Sequence, residues 1–280
     1  MPQHEAKITK WRPENCKQHR IYLLCGRRGS GKSILLRELL YIMKNQVDFC
    51  LAFCPTMESR QMLLAHLPDS CVYDRLIISK IEDLISLAGK YVNEKKVRRF
   101  LLVLDDVLYD KAAFRTKAIR ELFYNGRHYL INCIILSQFI MDIEPSLRSN
   151  VDYCICFKDN MLSNKLRLYK YMFGLLSSLE DFISVMDRCT QNYECLILDN
   201  TSSTSGISES LFWYKARMDL PSFQVGSPIF FKLADKMRRP PGSEVPQLLE
   251  NVDSSSTNKK ARLLVIKEDD ADGEEDKDGR

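Results

Sequence analysis

Two stretches of this chain hold side chains whose order and spacing could handle a nucleoside triphosphate. The first is Gly26-Arg27-Arg28-Gly29-Ser30-Gly31-Lys32-Ser33, a complete G-x-x-x-x-G-K-[ST] phosphate loop. Glycines in such a loop let successive backbone N–H groups curl around a phosphate that side chains would otherwise keep away. Lys32 would reach the β- and γ-phosphates of ATP, and the Ser33 hydroxyl would ligate Mg²⁺. The second stretch is Leu101-Leu102-Val103-Leu104-Asp105-Asp106, an apolar run ending in two carboxylates. Asp105 is placed to hold the Mg²⁺ through its water shell, and Asp106 to act as the general base on an attacking water. A third candidate, Gln138, follows the apolar run Leu130 to Leu136 and Ser137. A polar residue at such a strand tip can sense the γ-phosphate or hold the lytic water.

These groups work only if the chain brings them to one edge of one sheet. Ile21 to Cys25 reads as a buried parallel strand entering the loop. Ile34, Leu35, Leu36, Leu39 and Leu40 then show helical spacing to about Lys44, so the loop ends at a helix N-terminus and its positive dipole end. Further strands are read at Val47 to Cys54, in Cys71 to Ser79, before Asp105, at Leu130 to Leu136 and at Tyr153 to Phe157. Helical patterns lie between them at Met57 to His66, from Ile81 towards Lys95 with Gly89 weakening the second half, and at Phe114 to Tyr124. Leu162 to Phe173 and Leu179 to Cys189 read as amphipathic helices. Cys195 to Asp199 and Leu211 to Ala216 read as a β pair. The expected fold is α/β: a phosphate-loop NTPase with a mostly parallel central sheet flanked by helices. Ligands of open α/β sheets sit at the carboxyl ends of the strands, where the loop, the aspartates and Gln138 would meet.

Composition sets the frame. The 280 residues allow one large α/β domain with small appendages. Residues 1–14 are a polar lead-in, 15–235 the expected ATPase domain, and 236–280 a disordered tail rich in Pro, Ser and Lys that ends in acids. The formal charge of +4 hides an uneven distribution: residues 267–280 hold eight acids and three bases, leaving 38 bases against 29 acids elsewhere, about +9. A basic body is compatible with a polyanionic partner. The ten cysteines form no C-x-x-C pair, and Cys25, Cys50, Cys54, Cys133, Cys154 and Cys156 lie in apolar strand-like runs, so they read as core thiols in a reducing compartment. No signal peptide and no bilayer-length apolar stretch is found, which predicts a soluble intracellular protein without a transmembrane segment.

Several phosphate-loop classes are disfavoured. A GTPase would carry Asn-Lys-x-Asp, yet Asn164-Lys165-Leu166-Arg167 and Asn258-Lys259-Lys260-Ala261 both lack the aspartate. No Ser-Gly-Gly signature of an ABC-type ATPase is present. A nucleotide kinase fits by size but usually lacks a second acid after the first aspartate. An extra strand and Asp106 favour the ATPase branch with an added strand and a catalytic acid.

Taken with the loop and Leu101 to Val107, the stretch Phe123-Tyr124-Asn125-Gly126-Arg127-His128-Tyr129 leading to Ser137-Gln138 resembles the poxvirus-type virion packaging ATPases of the FtsK–HerA superfamily. Pro145, Arg148, Asn150 and Asp152, and the late Trp213-Tyr214-Lys215-Ala216, look like the same family, so the resemblance covers roughly residues 20–218. It implies a RecA/FtsK-like core that couples ATP hydrolysis to moving viral double-stranded DNA into a capsid. It also implies a homo-oligomeric ring with nucleotide at subunit boundaries, sequence-independent DNA contact, and capsid or inner-membrane protein partners at a cytoplasmic or nuclear assembly site. Such a ring needs a positive charge in trans, for which Arg127 and Arg148 are the candidates, although either could face DNA instead. The competing expectations are a nucleotide or nucleoside kinase and a non-translocating, ATP-dependent virion assembly factor.

Overall fold

Ile21–Cys25 is a strand buried along its whole length in the computed structural model. Its side chains alternate as strand geometry requires: Ile21, Leu23 and Cys25 enter one apolar cluster, Tyr22 and Leu24 another. A strand with both faces buried belongs in the middle of a covered sheet, and the rest of the chain is arranged accordingly. The structure describes residues 7–203 and 206–236. Of the expected tail, 236–280, only Lys236 is described, as the last residue of a helix, and the rest of it lies outside the described residues with the first six residues of the lead-in.

Among the described residues nine strands build the sheet: β1 (Thr9–Lys10), β2 (Ile21–Cys25), β3 (Phe49–Phe53), β4 (Val72–Tyr73), β5 (Phe100–Asp105), β6 (Ile131–Ser137), β7 (Tyr153–Phe157), β8 (Glu194–Asp199) and β9 (Leu211–Lys215). Their spatial order is β1-β9-β8-β7-β2-β6-β5-β3-β4. Every neighbouring pair is parallel except β7–β8 and β8–β9, so β8 alone runs against the rest. Parallel neighbours need crossovers, and helices supply them: α1 (Lys32–Met43), α2 (Met57–Leu64), α3 (Ile78–Asn93), α4 (Lys117–Asn125), α5 (Pro145–Arg148), α6 (Leu162–Tyr171) and α7 (Leu179–Cys189), with α8 (Ile207–Ser210) and α9 (Pro228–Lys236) later.

The two faces of the sheet carry separate helical layers. Leu35, Leu36, Leu39, Leu40 and Met43 of α1 join Leu63 of α2 and Phe230 of α9 on one face. Ile81, Leu84 and Ala88 of α3, Ile119, Leu122 and Phe123 of α4, and Phe182 and Met186 of α7 cover the other. The expected α/β class with a mostly parallel sheet is what forms. Helix α3 runs through Gly89 to Asn93, where weakening was expected. Its buried stripe outweighs the roughly 1 kcal/mol that a glycine costs a helix interior. Within the polar lead-in, Thr9–Lys10 pairs with β9. The buried Trp11 pins that segment, its ring edge-on to Tyr214 at 5.6 Å and tilted against Tyr153 at 6.1 Å. A single aromatic anchor leaves no periodicity for a sequence pattern to reveal.

Candidate active site

Strand β2 delivers the chain into the loop, and hydrogen bonds fix where the loop begins. The Gly26 N–H donates to the Ser137 carbonyl at the tip of β6 (3.1 Å). A Cβ on Gly26 would lie 2.8 Å from the Phe157 Cβ, so the close approach of β7 demands glycine there. Gly29 and Gly31 have φ of +72° and +107°, the region glycine enters without strain. Gly31 is the N-cap of α1, and no side chain caps that helix. The first-turn N–H groups of α1 are therefore left to an external acceptor. The buried Ser30 hydroxyl has no hydrogen-bond partner among the described residues. Arg27, Arg28, Gly29 and Ser33 are exposed. A curled backbone, a helix N-terminus and an orphaned hydroxyl fit a polyphosphate.

Lys32 is buried to 8% exposure, and its ammonium donates to the loop carbonyls of Gly26 and Arg27. Burial pushes its pKa down, while the Asp106 and Asp105 carboxylates push it back up. Those acids arrive on β5. The register pairs Asp105 with Leu136 and Cys25 with Ser137, which levels the end of β5 with the ends of β6 and β2. Asp105 is buried, and desolvation raises its pKa against the lowering by hydrogen bonds from Cys54 and Ser59 and by the charge of Lys32. The Cys54 thiol donates to Asp105 Oδ2 at 3.3 Å. Asp106 leaves the strand in a left-handed conformation (φ +51°) with its N–H on the Leu136 carbonyl (3.2 Å). An acid forced into that region turns its carboxylate out of the strand's alternation, a local strain of a kind concentrated at functional sites.

Strand β6 lies between β2 and β5, so its tip enters the gap between the loop and the carboxylates. Gln138 follows it and points its amide nitrogen at Asp106 Oδ2 across a long 3.5 Å contact. The turn is held by Ser137, whose hydroxyl donates to Asp142 (3.1 Å) and accepts from the Phe139 N–H (3.1 Å). The structure thus gathers the loop residues, Lys32, Ser33, Asp105, Asp106 and Gln138 at one edge. Two carboxylates and a hydroxyl are hard oxygen donors suited to Mg²⁺. The described residues hold no cluster of three or more His, Cys, Asp or Glu side chains that would cage a metal alone. This donor set fits an ion that shares its coordination with phosphate and water.

The two arginines lie elsewhere. Arg127 is bound to Asp152 Oδ1 at 2.9 Å, and the Asp152 Oδ2 accepts the Ile21 N–H at 2.9 Å. That places Arg127 at the amino end of β2, separated from the loop by the strand's five residues, about 16 Å at the usual rise. Its side chain is 58% exposed. Arg148 closes α5 as a buried residue with its guanidinium 4.4 Å above the Tyr171 ring centre. Burial lowers its pKa, and its Nε has no hydrogen-bond partner among the described residues.

Some site residues escaped the sequence reading. Cys54 was expected to be a core thiol, yet it supports Asp105, and burial pushes its own pKa up to about 11. The signal was its position just beyond a strand that ends level with β5. Glu38 is fully buried on α1 and accepts from the Tyr214 hydroxyl (2.9 Å), the Arg217 N–H (2.9 Å) and the Arg217 guanidinium. An acid inside an apolar helical stripe is the mark that could have exposed it.

A phosphate loop on the central strand, an acid-bearing strand two places away and a polar-tipped strand between them define a phosphate-loop NTPase core with an added strand. The chain belongs to the Poxvirus A32 protein family, whose model matches residues 12–211. It is 30% identical over 261 residues to the uncharacterized protein 015R of Frog virus 3 (isolate Goorha), covering 90% of this chain and 80% of that one. The uncharacterized protein 075L of Invertebrate iridescent virus 6 is 28% identical over 209 residues, 73% of this chain and 80% of that one. Among solved structures, the genome packaging NTPase B204 from Sulfolobus turreted icosahedral virus 2, in complex with AMPPCP, superposes with a TM-score of 0.52 at 21% identity. That match covers 74% of this chain and all of B204, and at this identity it speaks for the fold. The family expected from the motif around Asn125-Gly126-Arg127 is the family found.

Proposed function

We propose that this chain is an ATPase that drives viral double-stranded DNA into a capsid, working as a ring of identical subunits. The observation that carries the catalytic part is the shared edge of β2, β6 and β5. It sets Lys32, Asp105, Asp106 and Gln138 around the uncapped start of α1. The family membership and the fold likeness to a genome packaging NTPase support the packaging part.

In this reading the loop N–H groups and Lys32 bind the β- and γ-phosphates, and Lys32 exchanges its loop carbonyls for phosphate oxygens. Ser33 and Asp105 would hold Mg²⁺, which supplies neutralising charge to the phosphates. Asp106 takes the proton of the attacking water, and Gln138 fixes that water between the carboxylate and the γ-phosphate. Arg127, exposed on the opposite edge, is available to a neighbouring subunit's γ-phosphate or to DNA. Arg148, packed on Tyr171, supports its own subunit unless assembly releases it. DNA is held through phosphates without base reading, as a motor that must pass any sequence requires. A capsid or inner-membrane protein anchors the ring. No helix among the described residues is long and apolar enough to cross a membrane.

The test is steady-state phosphate release at low salt with and without long double-stranded DNA. Stimulation by DNA is expected, with Lys32→Ala losing nucleotide binding and Asp106→Asn binding ATP without turnover. Hydrolysis indifferent to DNA would favour the non-translocating assembly factor, and phosphate delivered to a nucleoside acceptor would favour the kinase.

A further inference from the structure

The direction of a triphosphate across the loop locates a subsite that the phosphate-binding residues do not form. Gln138, Asp105 and Asp106 all lie on the β6 and β5 side of the loop. A nucleotide whose γ end points there, and whose middle phosphates rest on the start of α1, must leave the loop on the opposite flank. That flank is the tips of β7 and β8.

The segment joining α7 to β8 turns there through Gln191-Asn192-Tyr193-Glu194, closed by the Glu194 N–H on the Gln191 carbonyl (2.8 Å). Asn192 and Tyr193 have φ of +51° and +65°, the pattern of a type I′ turn. Those positions favour Gly, Asn and Asp, and a tyrosine at the second is out of place on local grounds. The turn is nevertheless held in place: Gln191 donates to the Asp187 carbonyl and accepts from Lys158 at 3.4 Å. The strained conformation leaves the tyrosine 66% exposed. Its ring meets no other aromatic ring among the described residues. It stands directly beside the loop, since a Cβ on Gly31 would come within 3.8 Å of the Tyr193 Cβ and 3.5 Å of the Phe157 ring. Phe157 is buried beneath the loop as its floor; Tyr193 is the aromatic face left open beside it.

We propose that Tyr193 is the surface on which the nucleobase of the bound triphosphate stacks, held beside the phosphate loop by the Gln191–Glu194 turn. The inference rests on the nucleotide-binding reading and adds the base subsite to it. A large aromatic in a conformation it disfavours, exposed where the base must emerge, is explained by a ligand that covers it. Stacking uses the π-face that all bases share, so this contact supplies affinity without choosing among them.

The experiment compares ATP with inorganic tripolyphosphate, which has the phosphates and no base, by calorimetric titration of the full chain in Mg²⁺. Tyr193→Ala is expected to weaken ATP binding on the order of 10-fold, a loss within the usual range for one base–aromatic stack. Tripolyphosphate affinity should be unchanged, and Tyr193→Phe should bind ATP like the parent. Circular dichroism shows whether the alanine variant keeps its fold. ATP affinity unchanged in Tyr193→Ala, or ATP and tripolyphosphate weakened by the same factor in the folded variant, overturns the assignment. A parent chain that binds neither ligand overturns the nucleotide reading itself, a result distinct from both.

Discussion

Replacing Glu38 with alanine is expected to lower folding stability by about 3 kcal/mol, towards the low end of what breaking a buried ion pair costs. The side chain is fully buried on the helix that follows the phosphate loop, and three donors converge on it. Removing the carboxylate strands the hydroxyl of Tyr214, itself buried to 5% exposure, and the Arg217 N–H. The Arg217 side chain is half exposed and can turn to water, which keeps the loss from the top of the range. Tyr214→Phe removes one donor and leaves the carboxylate its other partners, so about 1 kcal/mol is expected. The double variant should cost less than the sum of the two, by about 1 kcal/mol, because the hydrogen bond they share is lost once. Equilibrium urea unfolding of the four proteins gives the cycle, read from midpoints at a constant slope. A loss under about 1 kcal/mol for Glu38→Ala, or additivity within about 0.5 kcal/mol, would refute the claim that this carboxylate fastens α1 to the β9 side of the sheet.

Two further outcomes follow from the environment of Asp105. Cys54→Ala removes the thiol that orients the carboxylate and should raise the Mg²⁺ concentration for half-maximal hydrolysis by about 10-fold, in line with lost outer-shell partners of metal ligands. Cys54→Ser should restore most of it, and an unchanged Mg²⁺ requirement in the alanine variant would remove Cys54 from the site. Asp105→Asn should abolish hydrolysis yet stabilise the ligand-free protein at pH 7. The folded-state pKa of Asp105 is raised, so between its ordinary value of 3.8 and that higher value the folded state binds more protons than the unfolded one, and stability falls as pH rises. The asparagine never ionises and escapes this loss. Its advantage in urea midpoint should therefore shrink as pH falls towards 3.8, and an advantage that grows in acid would contradict the burial argument.

The central strand, the loop and the acid-bearing strand were legible because each is a local pattern: unbroken apolar runs ending in glycine or carboxylate. Gln138 was legible because it terminates such a run. What escaped depends on contacts between distant segments. Asp152 draws together Arg127, Arg20 and the Ile21 N–H, and those partners are 25 to 132 residues away along the chain. Arg148 reads as a candidate for the charge in trans or for DNA until the fold buries it against Tyr171. Cys54 is one apolar residue among several until register sets its sulfur against Asp105. The left-handed turn at Asp106 is likewise invisible in composition, since nothing local obliges a second aspartate to leave the strand in that way.

The described sheet is nine strands wide, yet its outermost members, Thr9–Lys10 and Val72–Tyr73, are two residues each. A long bare edge would offer a ladder of unpaired backbone groups to any neighbouring copy, the route by which sheet proteins join end to end into fibres. Margins this short leave almost no backbone for a second molecule to continue. In the ring proposed above, copies would therefore meet through side chains, whose shape can fix an angle and close a circle, where strand addition would simply repeat without end.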